Sequence, residues 1–402
     1  MFSERLPDIL RLAESIGATP PLPPREIRDL LEKSLRPEGL SGEELAGLLN
    51  GTRDAQNQEL VKDFSAGHRR PHDRDILTLP PLYFSSACEN RCLYCHFSDQ
   101  GKRLSGREFA AEFEALLNLG YRSIELVSSQ DSGLYVKAAG FTSAAQAYSV
   151  DGALPYFQLA GERLSARGGG MLTSNIPPLD IDSYRKLKAA GLDCHLIWLE
   201  TLNPRQYGRL HYDRGPKFNQ AFRLDSFERA IEAGIPHQAG AFLKGLYDWR
   251  REEAALYLFD RYLKKKNGLG FSIIGTPRLK GPFRKSPLVR EYEVSDDEYE
   301  LNIALDRILF DGILWLQTRE PFGLNRRLIQ RYGAGVILTL TSSTAPGGYS
   351  KPSSARAQFP VHKQSLARSV STLEADGFHV RFQWTGHTLL DFQRRPERRL
   401  PS

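Results

Sequence analysis

The sequence predicts an α/β protein built on a parallel (β/α)8 barrel, closed or nearly closed, with a helical N-terminal extension. Short apolar runs alternate with amphipathic helical segments from about residue 78 onward. Such alternation is typical of a parallel sheet covered by helices, and a barrel of this kind needs about 250 residues. The predicted strands are 82–86, 123–129, 171–176, 194–200, 237–243, 271–274, 313–318 and 336–341.

The helical signals and the composition of the two ends divide the chain into three parts. Ser105 and Glu108 form a capping box that begins one barrel helix, and Gly120 ends it. We predict a helical N-terminal extension at 1–77, the barrel at 78–350, and a C-terminal extension at 351–402 that packs on the barrel. In a parallel barrel the functional residues lie at the carboxyl ends of the strands and in the loops that follow them.

Composition and charge exclude several classes of protein. The net charge of +6 is dispersed, which argues against nucleic-acid binding. No apolar stretch approaches the roughly 20 residues that span a bilayer, and the N-terminus has acidic residues where a secretory signal has basic ones. We therefore expect a cytoplasmic protein with no nucleic-acid or membrane partner.

Three of the four cysteines lie in one loop after the first predicted strand. Cys88, Cys92 and Cys95 have C-x3-C-x2-C spacing, with the aromatic Tyr94 before the last cysteine. A 4Fe–4S cluster normally takes four thiolates, so three would leave one iron open to a ligand. The alternative is structural zinc with His96 as the fourth ligand, although adjacent residues chelate one ion poorly. The fourth cysteine, in strand 194–200, is interpreted as a core thiol.

The cysteine loop resembles the signature of the radical S-adenosylmethionine (SAM) superfamily. Further stretches resemble its aromatic amino-acid lyase family, which contains tyrosine lyases, among them 2-iminoacetate synthases, and tryptophan lyases that make 3-methyl-2-indolic acid for antibiotics. These stretches are WLETLNPRQYGRLHYDRGPKFNQAFRLDSFERAIEAGI (198–235), GLYDWRREE (245–253), PRLKGP (277–282), QTREP (317–321) and SSTAPGGYS (342–350). The resemblance implies a 4Fe–4S cluster held by Cys88, Cys92 and Cys95, SAM as cofactor, and an electron donor such as flavodoxin or ferredoxin.

Departures from the tyrosine-lyase pattern favour tryptophan as the expected substrate. This chain has WLET at 198–201 where tyrosine lyases typically have YQET, and Ser129-Gln130 where they have Gly-Glu. The implied reaction begins with hydrogen abstraction from the amino group of L-tryptophan by a 5′-deoxyadenosyl radical and ends in 3-methyl-2-indolic acid. The alternative is cleavage of tyrosine to p-cresol and dehydroglycine (2-iminoacetate). The competing classes are an enzyme that carries out another radical SAM reaction and a zinc-stabilised binding protein.

The cofactor pocket is expected at the ends of the second and fourth predicted strands. Tyr94 would face the adenine of SAM, and Ser129 and Gln130 the methionine ammonium, with a solvated loop as the alternative for Gln130. Glu200 would contact the ribose or the ammonium, or simply pair with Arg223. The resemblance places Arg223 near the SAM carboxylate, where a guanidinium can bind two oxygens, rather than as an exposed helix arginine.

The substrate residues are expected on three other strands. Arg319 would hold the amino-acid carboxylate, with a surface ion pair to Glu320 as the alternative. Tyr83 would lie near the substrate amine and share the catalytic role with Arg319, or be a barrel-core tyrosine. Thr339 and Thr341 alternate on the last strand and would add hydroxyl donors, although threonine in a strand is mostly packing.

Overall fold

A ten-stranded parallel sheet is the centre of the protein in a computed structural model that describes residues 1–18, 20–68, 70, 72–137, 148–212, 216–343, 345–350 and 357–393. Its order is β12-β1-β11-β10-β9-β8-β7-β6-β3-β2, and a single parallel bridge between Leu82 and Ser343 brings the free edge of β2 back to the segment after β11. The sheet therefore curls into a nearly closed parallel barrel, which confirms the predicted fold. The strands are β1 (Asp75–Thr78), β2 (Pro81–Ser85), β3 (Ser123–Ser128), the short antiparallel pair β4 (Val136–Lys137) and β5 (Tyr148–Ser149), β6 (Met171–Asn175), β7 (Cys194–Glu200), β8 (His237–Phe242), β9 (Ile273–Gly275), β10 (Ile313–Leu316), β11 (Val336–Leu338) and β12 (His379–Arg381).

Helices cover the outside of the sheet. In chain order they are α1 (Phe2–Glu14), α2 (Pro24–Ser34), α3 (Gly42–Gly51), α4 (Ala55–Gly67), α5 (Gly106–Asn118), α6 (Leu154–Ser165), α7 (Ile181–Ala189), α8 (Pro204–Leu210), α9 (Gln220–Leu224), α10 (Ser226–Glu232), α11 (Trp249–Asn267), α12 (Asp296–Leu309), α13 (Phe322–Tyr332), α14 (Leu366–Ala375) and α15 (Gly386–Gln393). The capping box of Ser105 and Glu108 begins α5 as predicted, and Gly120 follows its end with a φ of +95°. Among the described helices, none is long and apolar enough to cross a membrane.

Two strands come from segments that the sequence analysis placed outside the barrel. β1 begins within the predicted N-terminal extension, and β12 belongs to the predicted C-terminal extension, part of which lies outside the described residues. β1 pairs with both β11 and β12. Their short length and weak alternation explain why the pattern of apolar runs did not reveal them. The domain limits themselves stay a prediction.

The inside of the barrel is filled at its lower end and lined with tryptophan near its mouth. Cys194 is fully buried in this interior core, as expected for a core thiol. The rings of Trp198 on β7 and Trp315 on β10 stack with centroids 5.7 Å apart. Gly275 on β9 makes room for this pair, because a Cβ there would lie 2.4 Å from the Trp198 ring. The strand ends above these rings carry the candidate site.

Candidate active site

The cysteine loop follows β2, and backbone hydrogen bonds within the loop fix its conformation. Cys88 N donates to Ser98 O at 2.8 Å, and Cys95 N donates to Cys92 O at 3.1 Å. Cys88 and Cys95 pack on a small apolar cluster that contains Tyr83 of the barrel wall. The loop therefore places its thiols against the mouth of the barrel.

The surroundings of the thiols suit an iron–sulfur cluster. Asn90 Nδ2 lies 3.8 Å from Cys88 Sγ and Gln358 Nε2 lies 3.8 Å from Cys95 Sγ, so each can donate to a ligating sulfur. Burial raises the pKa of the Cys92 thiol to about 12, against the opposing positive charge of Lys217. Bound iron would supply the further positive charge that deprotonated thiols need there. Among the described residues, no three His, Cys, Asp or Glu side chains are grouped to hold a single metal ion.

Glu200 ends β7 beside the loop and carries a negative charge held by two cations. Lys217 Nζ lies 2.5 Å from Glu200 Oε1, and Arg223 Nη2 lies 3.9 Å from the same oxygen. Burial raises the pKa of Glu200, but Lys217 and Arg223 together leave it below its ordinary value. Glu200 has a φ of +65°, in the left-handed region that few residues other than glycine adopt. Such local strain is concentrated at functional sites.

Arg223 on α9 is buried rather than exposed. Its Nε and Nη2 donate to Trp198 O at 2.9 and 2.7 Å, so the main chain at the end of β7 holds the guanidinium in place. Arg223 is therefore not the exposed helix arginine that was the alternative to a cofactor contact. The closer partner of Glu200 is Lys217, which the sequence analysis did not single out.

Tyr94 is held against the loop that follows α8. Its hydroxyl lies 2.8 Å from His211 Nε2, and His211 Nδ1 lies 2.8 Å from Tyr207 O. Burial lowers the pKa of His211 to about 3, so the ring is neutral, donates from Nδ1 and accepts the Tyr94 proton at Nε2. Lys217 Nζ lies 5.4 Å from the centre of the Tyr94 ring. Tyr94 is therefore a fixed wall next to the cysteines.

Ser129 and Gln130 follow β3 and are both buried against the cysteine loop. The Ser129 hydroxyl donates to Ala87 O, so it is engaged in holding the loop. Gln130 O accepts from Glu89 N at 2.9 Å, whereas its buried Nε2 has no hydrogen-bond partner among the described residues. Gln130 is therefore not a solvated loop residue, and its amide is available to a ligand.

Arg319 follows β10 and points into the mouth of the barrel. Its guanidinium carbon lies 3.4 Å from the centre of the Phe359 ring. Its Nε is buried and has no hydrogen-bond partner among the described residues, and burial lowers the pKa of the guanidinium. Glu320 does not pair with it, because that carboxylate accepts from Arg278 at 2.6 Å and contacts Lys280 at 2.9 Å.

Glu125 on β3 is a second carboxyl group in the barrel, and the sequence analysis missed it. Asn175 Nδ2 donates to its Oε1 at 2.9 Å. Burial raises the pKa of Glu125 to about 8, opposed by this hydrogen bond. The nearby Tyr83 donates its hydroxyl to Gln358 Oε1 at 2.8 Å, which links the barrel wall to the segment over the mouth.

Two adjoining cavities meet at Trp198, Arg319 and Phe359. The cluster-side cavity is completed by Tyr94, Cys95, Glu200, Lys217, Leu243, Pro277 and Gln358. The inner cavity is completed by Pro81, Tyr83, Glu125, Asn175, Trp315, Gln317, Thr318, Thr339 and Ser342. Of the expected residues, these cavities contain Tyr83, Tyr94, Cys95, Glu200, Arg319 and Thr339. Their linings do not include Cys88, Cys92, Ser129, Gln130 and Arg223.

The two threonines expected there have different positions. Thr339 lines the inner cavity, but its hydroxyl accepts from Trp315 Nε1 at 2.8 Å and donates to Leu79 O at 3.0 Å. Thr341 is not among the residues that line either cavity, and its hydroxyl accepts from Tyr121 at 3.1 Å. β11 ends at Leu338, so the alternation that predicted a shared face does not continue to 341.

Sequence reasoning missed several residues of these cavities, among them Lys217, Glu125, Gln358 and Phe359. Glu125 carried one usable signal, since it is a carboxylate inside an otherwise apolar strand, SIELVS. The other three lie in irregular segments. Hydrophobic periodicity does not predict where such segments lie relative to the barrel.

The chain is similar to several known proteins. A model described as the Radical SAM superfamily matches residues 82–258. The 2-iminoacetate synthase of Escherichia coli (strain K12) is 25% identical over 362 residues, which cover 86% of this chain and 88% of that protein. The protein of the same name from Salmonella typhimurium (strain LT2) is 26% identical over 363 residues, with the same coverage of 86% and 88%.

Solved structures extend the likeness over almost the whole chain. The FeFe-hydrogenase maturase HydG from Carboxydothermus hydrogenoformans is 28% identical with a TM-score of 0.78, covering 95% of this chain and 85% of that one. Methylornithine synthase (PylB) shares the fold at 17% identity with a TM-score of 0.58, covering 92% of this chain and 97% of that one. The chain has three cysteines in a loop at the barrel mouth, and its match to the Radical SAM superfamily model and its likeness to HydG imply a 4Fe–4S cluster and SAM as cofactors.

Proposed function

We propose that the enzyme is an aromatic amino-acid lyase that cleaves the Cα–Cβ bond of L-tyrosine, giving p-cresol and dehydroglycine (2-iminoacetate). The observation that carries this proposal is the unpaired, buried Nε of Arg319 in a cavity that also contains Glu125. Two relatives that align with 86% of the chain are named 2-iminoacetate synthase, which supports tyrosine over the tryptophan expected from the sequence.

The inner cavity has the two charged groups that a free aromatic amino acid requires. A guanidinium binds a carboxylate with two parallel hydrogen bonds, and Arg319 is the group for this role. Glu125 lies in the same cavity and would accept from the substrate amino group, which in turn would lower the raised pKa of the Glu125 carboxyl. The Trp198 and Trp315 rings offer an apolar, aromatic wall for the substrate ring.

The cluster-side cavity is the proposed SAM site. When bound, the cluster and SAM supply the 5′-deoxyadenosyl radical that abstracts hydrogen from the substrate amine. Tyr94 would form the adenine wall, Glu200 would accept from ribose hydroxyls or the ammonium, and Arg223 would bind the carboxylate. Gln130 and Ser129 hold the cysteine loop through Glu89 N and Ala87 O. Arg319 borders both cavities, so the residue that would fix the substrate also fixes its distance from the cofactor.

Tryptophan remains the second candidate on one specific observation. The WLET stretch places Trp198 and Leu199 where tyrosine lyases typically have Tyr and Gln, and Trp198 borders both cavities. An apolar indole there suits a substrate ring without a hydroxyl. On this alternative the product is 3-methyl-2-indolic acid.

The experiment is product analysis of anaerobically reconstituted enzyme with SAM, dithionite and either L-tyrosine or L-tryptophan. We expect p-cresol, and glyoxylate from hydrolysis of dehydroglycine, in amounts that match 5′-deoxyadenosine. Formation of 3-methyl-2-indolic acid from tryptophan, with no p-cresol from tyrosine, would overturn the tyrosine assignment in favour of the second candidate. Neither product, with 5′-deoxyadenosine still formed, would overturn the lyase assignment.

A further inference from the structure

We propose that a second ligand site lies outside the barrel, in a cavity that α1, α8 and the start of α11 form around Arg205, Arg209 and Arg251. We call it the outer cavity, and its ligand is a phosphate ester of an aromatic compound, similar in size to a nucleoside monophosphate. The outer cavity has a volume of about 560 Å³, which is within the range of small-molecule sites in proteins. Among the described residues, none lines both the outer cavity and either cavity of the barrel mouth. Binding there is therefore independent of which amino acid the enzyme cleaves.

Three arginines give the outer cavity its charge. Arg205 and Arg209 are exposed and four residues apart on α8, and Arg251 lies in the first turn of α11. Among the described lining residues, Glu14 of α1 is the one carboxylate, so an excess of two positive charges remains. None of the three guanidiniums forms an ion pair with a carboxylate in the described part of the chain.

The fold alone does not explain this grouping of cations. Like charges four residues apart on a helix repel each other and destabilise it. Arg251 is held in place, since its Nη1 donates to the Tyr247 hydroxyl at 3.1 Å and its Nη2 to Ile16 O at 3.4 Å. Its Nε is buried and has no hydrogen-bond partner among the described residues. An anion bound against Arg251 would accept hydrogen bonds from the guanidinium and reduce the repulsion among the three cations.

Two tyrosine rings add an aromatic part to the lining of the outer cavity. The rings of Tyr247 and Tyr292 have centroids 5.1 Å apart and planes inclined at 56°. Leu10 and Ala13 of α1 add apolar surface. Aromatic side chains contribute large contact areas and pack favourably on other rings. The lining therefore combines cations with an aromatic surface.

This combination identifies the class of ligand. Guanidiniums bind phosphate oxygens with two parallel hydrogen bonds. A phosphate monoester carries about −1.5 to −2 charges at pH 7, which matches the excess positive charge of the lining better than a single carboxylate does. Inorganic phosphate would leave the tyrosine rings and most of the volume without a partner. A phosphate ester that carries a ring uses both parts of the lining.

The test is calorimetric titration of the reconstituted enzyme with SAM bound and no reductant, so that the cofactor pocket is already occupied. The probes are uridine monophosphate and phenyl phosphate, together with uridine and inorganic phosphate as the separate parts of the first. One variant, Arg205→Ala/Arg209→Ala, removes two exposed cations, and a second, Tyr292→Leu, replaces a ring by an aliphatic side chain. The matched control is Arg25→Ala/Arg28→Ala on α2, which removes two other exposed arginines.

Uridine monophosphate should bind the unaltered protein at least about tenfold more tightly than uridine or inorganic phosphate, because it contacts both parts of the lining. The double variant should weaken both phosphate esters by about tenfold or more. Tyr292→Leu should weaken them by about threefold and leave inorganic phosphate unchanged. The control should stay within about twofold of the unaltered protein. SAM cleavage with dithionite should be unchanged in every variant, because these residues do not line the cavities of the barrel mouth.

Three results would overturn the proposal. The first is that neither phosphate ester binds at concentrations up to about 1 mM. The second is equal affinity in the double variant, the control and the unaltered protein, which would place the phosphate elsewhere. The third is inorganic phosphate that binds as tightly as uridine monophosphate, which would show an anion site without recognition of a ring. Since the titration contains no amino acid, none of these results would bear on the proposed lyase reaction.

Discussion

The two buried carboxyl groups at the barrel mouth, Glu200 and Glu125, differ in the charges around them. Glu200, in the cluster-side cavity, has Lys217 at 2.5 Å and Arg223 at 3.9 Å, and its pKa is lowered. Glu125, in the inner cavity, has one neutral hydrogen-bond donor in Asn175, and burial raises its pKa to about 8. Burial disfavours the charge on both groups, so the neighbouring cations decide which of them is ionised at neutral pH.

This difference shows how the site can serve two ligands. The cluster-side cavity is arranged around fixed charge, which suits a charged cofactor that must be held beside a metal cluster. The inner cavity contains one cation without a hydrogen-bond partner at Nε and one carboxyl group whose charge depends on what binds. We expect substrate binding to complete the inner cavity, whereas the cluster-side cavity is electrostatically complete without SAM.

The largest effect should come from the three cysteines of the loop beside the cluster-side cavity. Replacing Cys88, Cys92 and Cys95 with Ala removes every proposed thiolate ligand. Iron content of the reconstituted protein should fall from about four per chain to near zero, and SAM cleavage should stop. Iron and sulfide analysis checks this, and an intact cluster in the triple variant would refute the ligand assignment.

Arg319→Lys should impair the inner cavity and leave the cluster-side cavity functional. Lysine keeps the positive charge but cannot make the two-point contact with a carboxylate. We expect amino-acid turnover to fall by about 100-fold, since a misplacement of order 1 Å has this cost. Absorbance of the cluster and reductive cleavage of SAM should remain.

The matched control is Arg327→Lys, an exposed arginine on the helix that follows the same strand. It should behave as the unaltered protein. Product rates that are unchanged in Arg319→Lys would mean that the substrate carboxylate is bound elsewhere.

Lys217→Met should convert the surroundings of Glu200 toward those of Glu125. Removing one partner of a buried ion pair leaves the other charge poorly compensated, so the free energy of unfolding should fall by about 3 kcal/mol at pH 7. Urea denaturation measures the loss. The second change Glu200→Gln should restore much of it, and a double variant no more stable than Lys217→Met would contradict the pairing.

Glu125→Gln should have the smallest effect, visible through pH. The folded protein holds the Glu125 proton up to about pH 8, whereas the unfolded chain releases it near 4.5, so stability from the neutral carboxyl is lost as pH rises across that window. Gln has no proton to release. The urea midpoint of the variant, relative to that of the unaltered protein, should therefore increase as pH rises.

Glu200→Gln is the matched comparison, because the lowered pKa of Glu200 gives the opposite sign. Its carboxylate contributes stability above pH 4.5 that is lost as pH falls through the lower folded value. The stability difference between this variant and the unaltered protein should therefore shrink toward acid pH. The same pH trend in both variants would show that the two carboxyl groups do not differ as described.

The sequence alone determined the features that depend on neighbours along the chain. Three cysteines within eight residues predicted the cluster loop, since one short loop can place all three ligands. Apolar runs predicted the eight main strands, and their alternation with helices predicted the barrel. Arg319 and Glu200 were found because the rule that strand ends carry the chemistry needs only the end of a strand.

Tertiary structure decided which charges and rings face one another. Lys217 reaches Glu200 from an irregular segment after α8, and Gln358 reaches Tyr83 and Cys95 from 263 residues or more away in the chain. The ionisation of Glu125 likewise depends on its burial and on the hydrogen bond from the neutral Asn175, which no local pattern encodes. Periodicity reports how a residue is placed within its own element, whereas pKa and pairing depend on distances between elements that only folding sets.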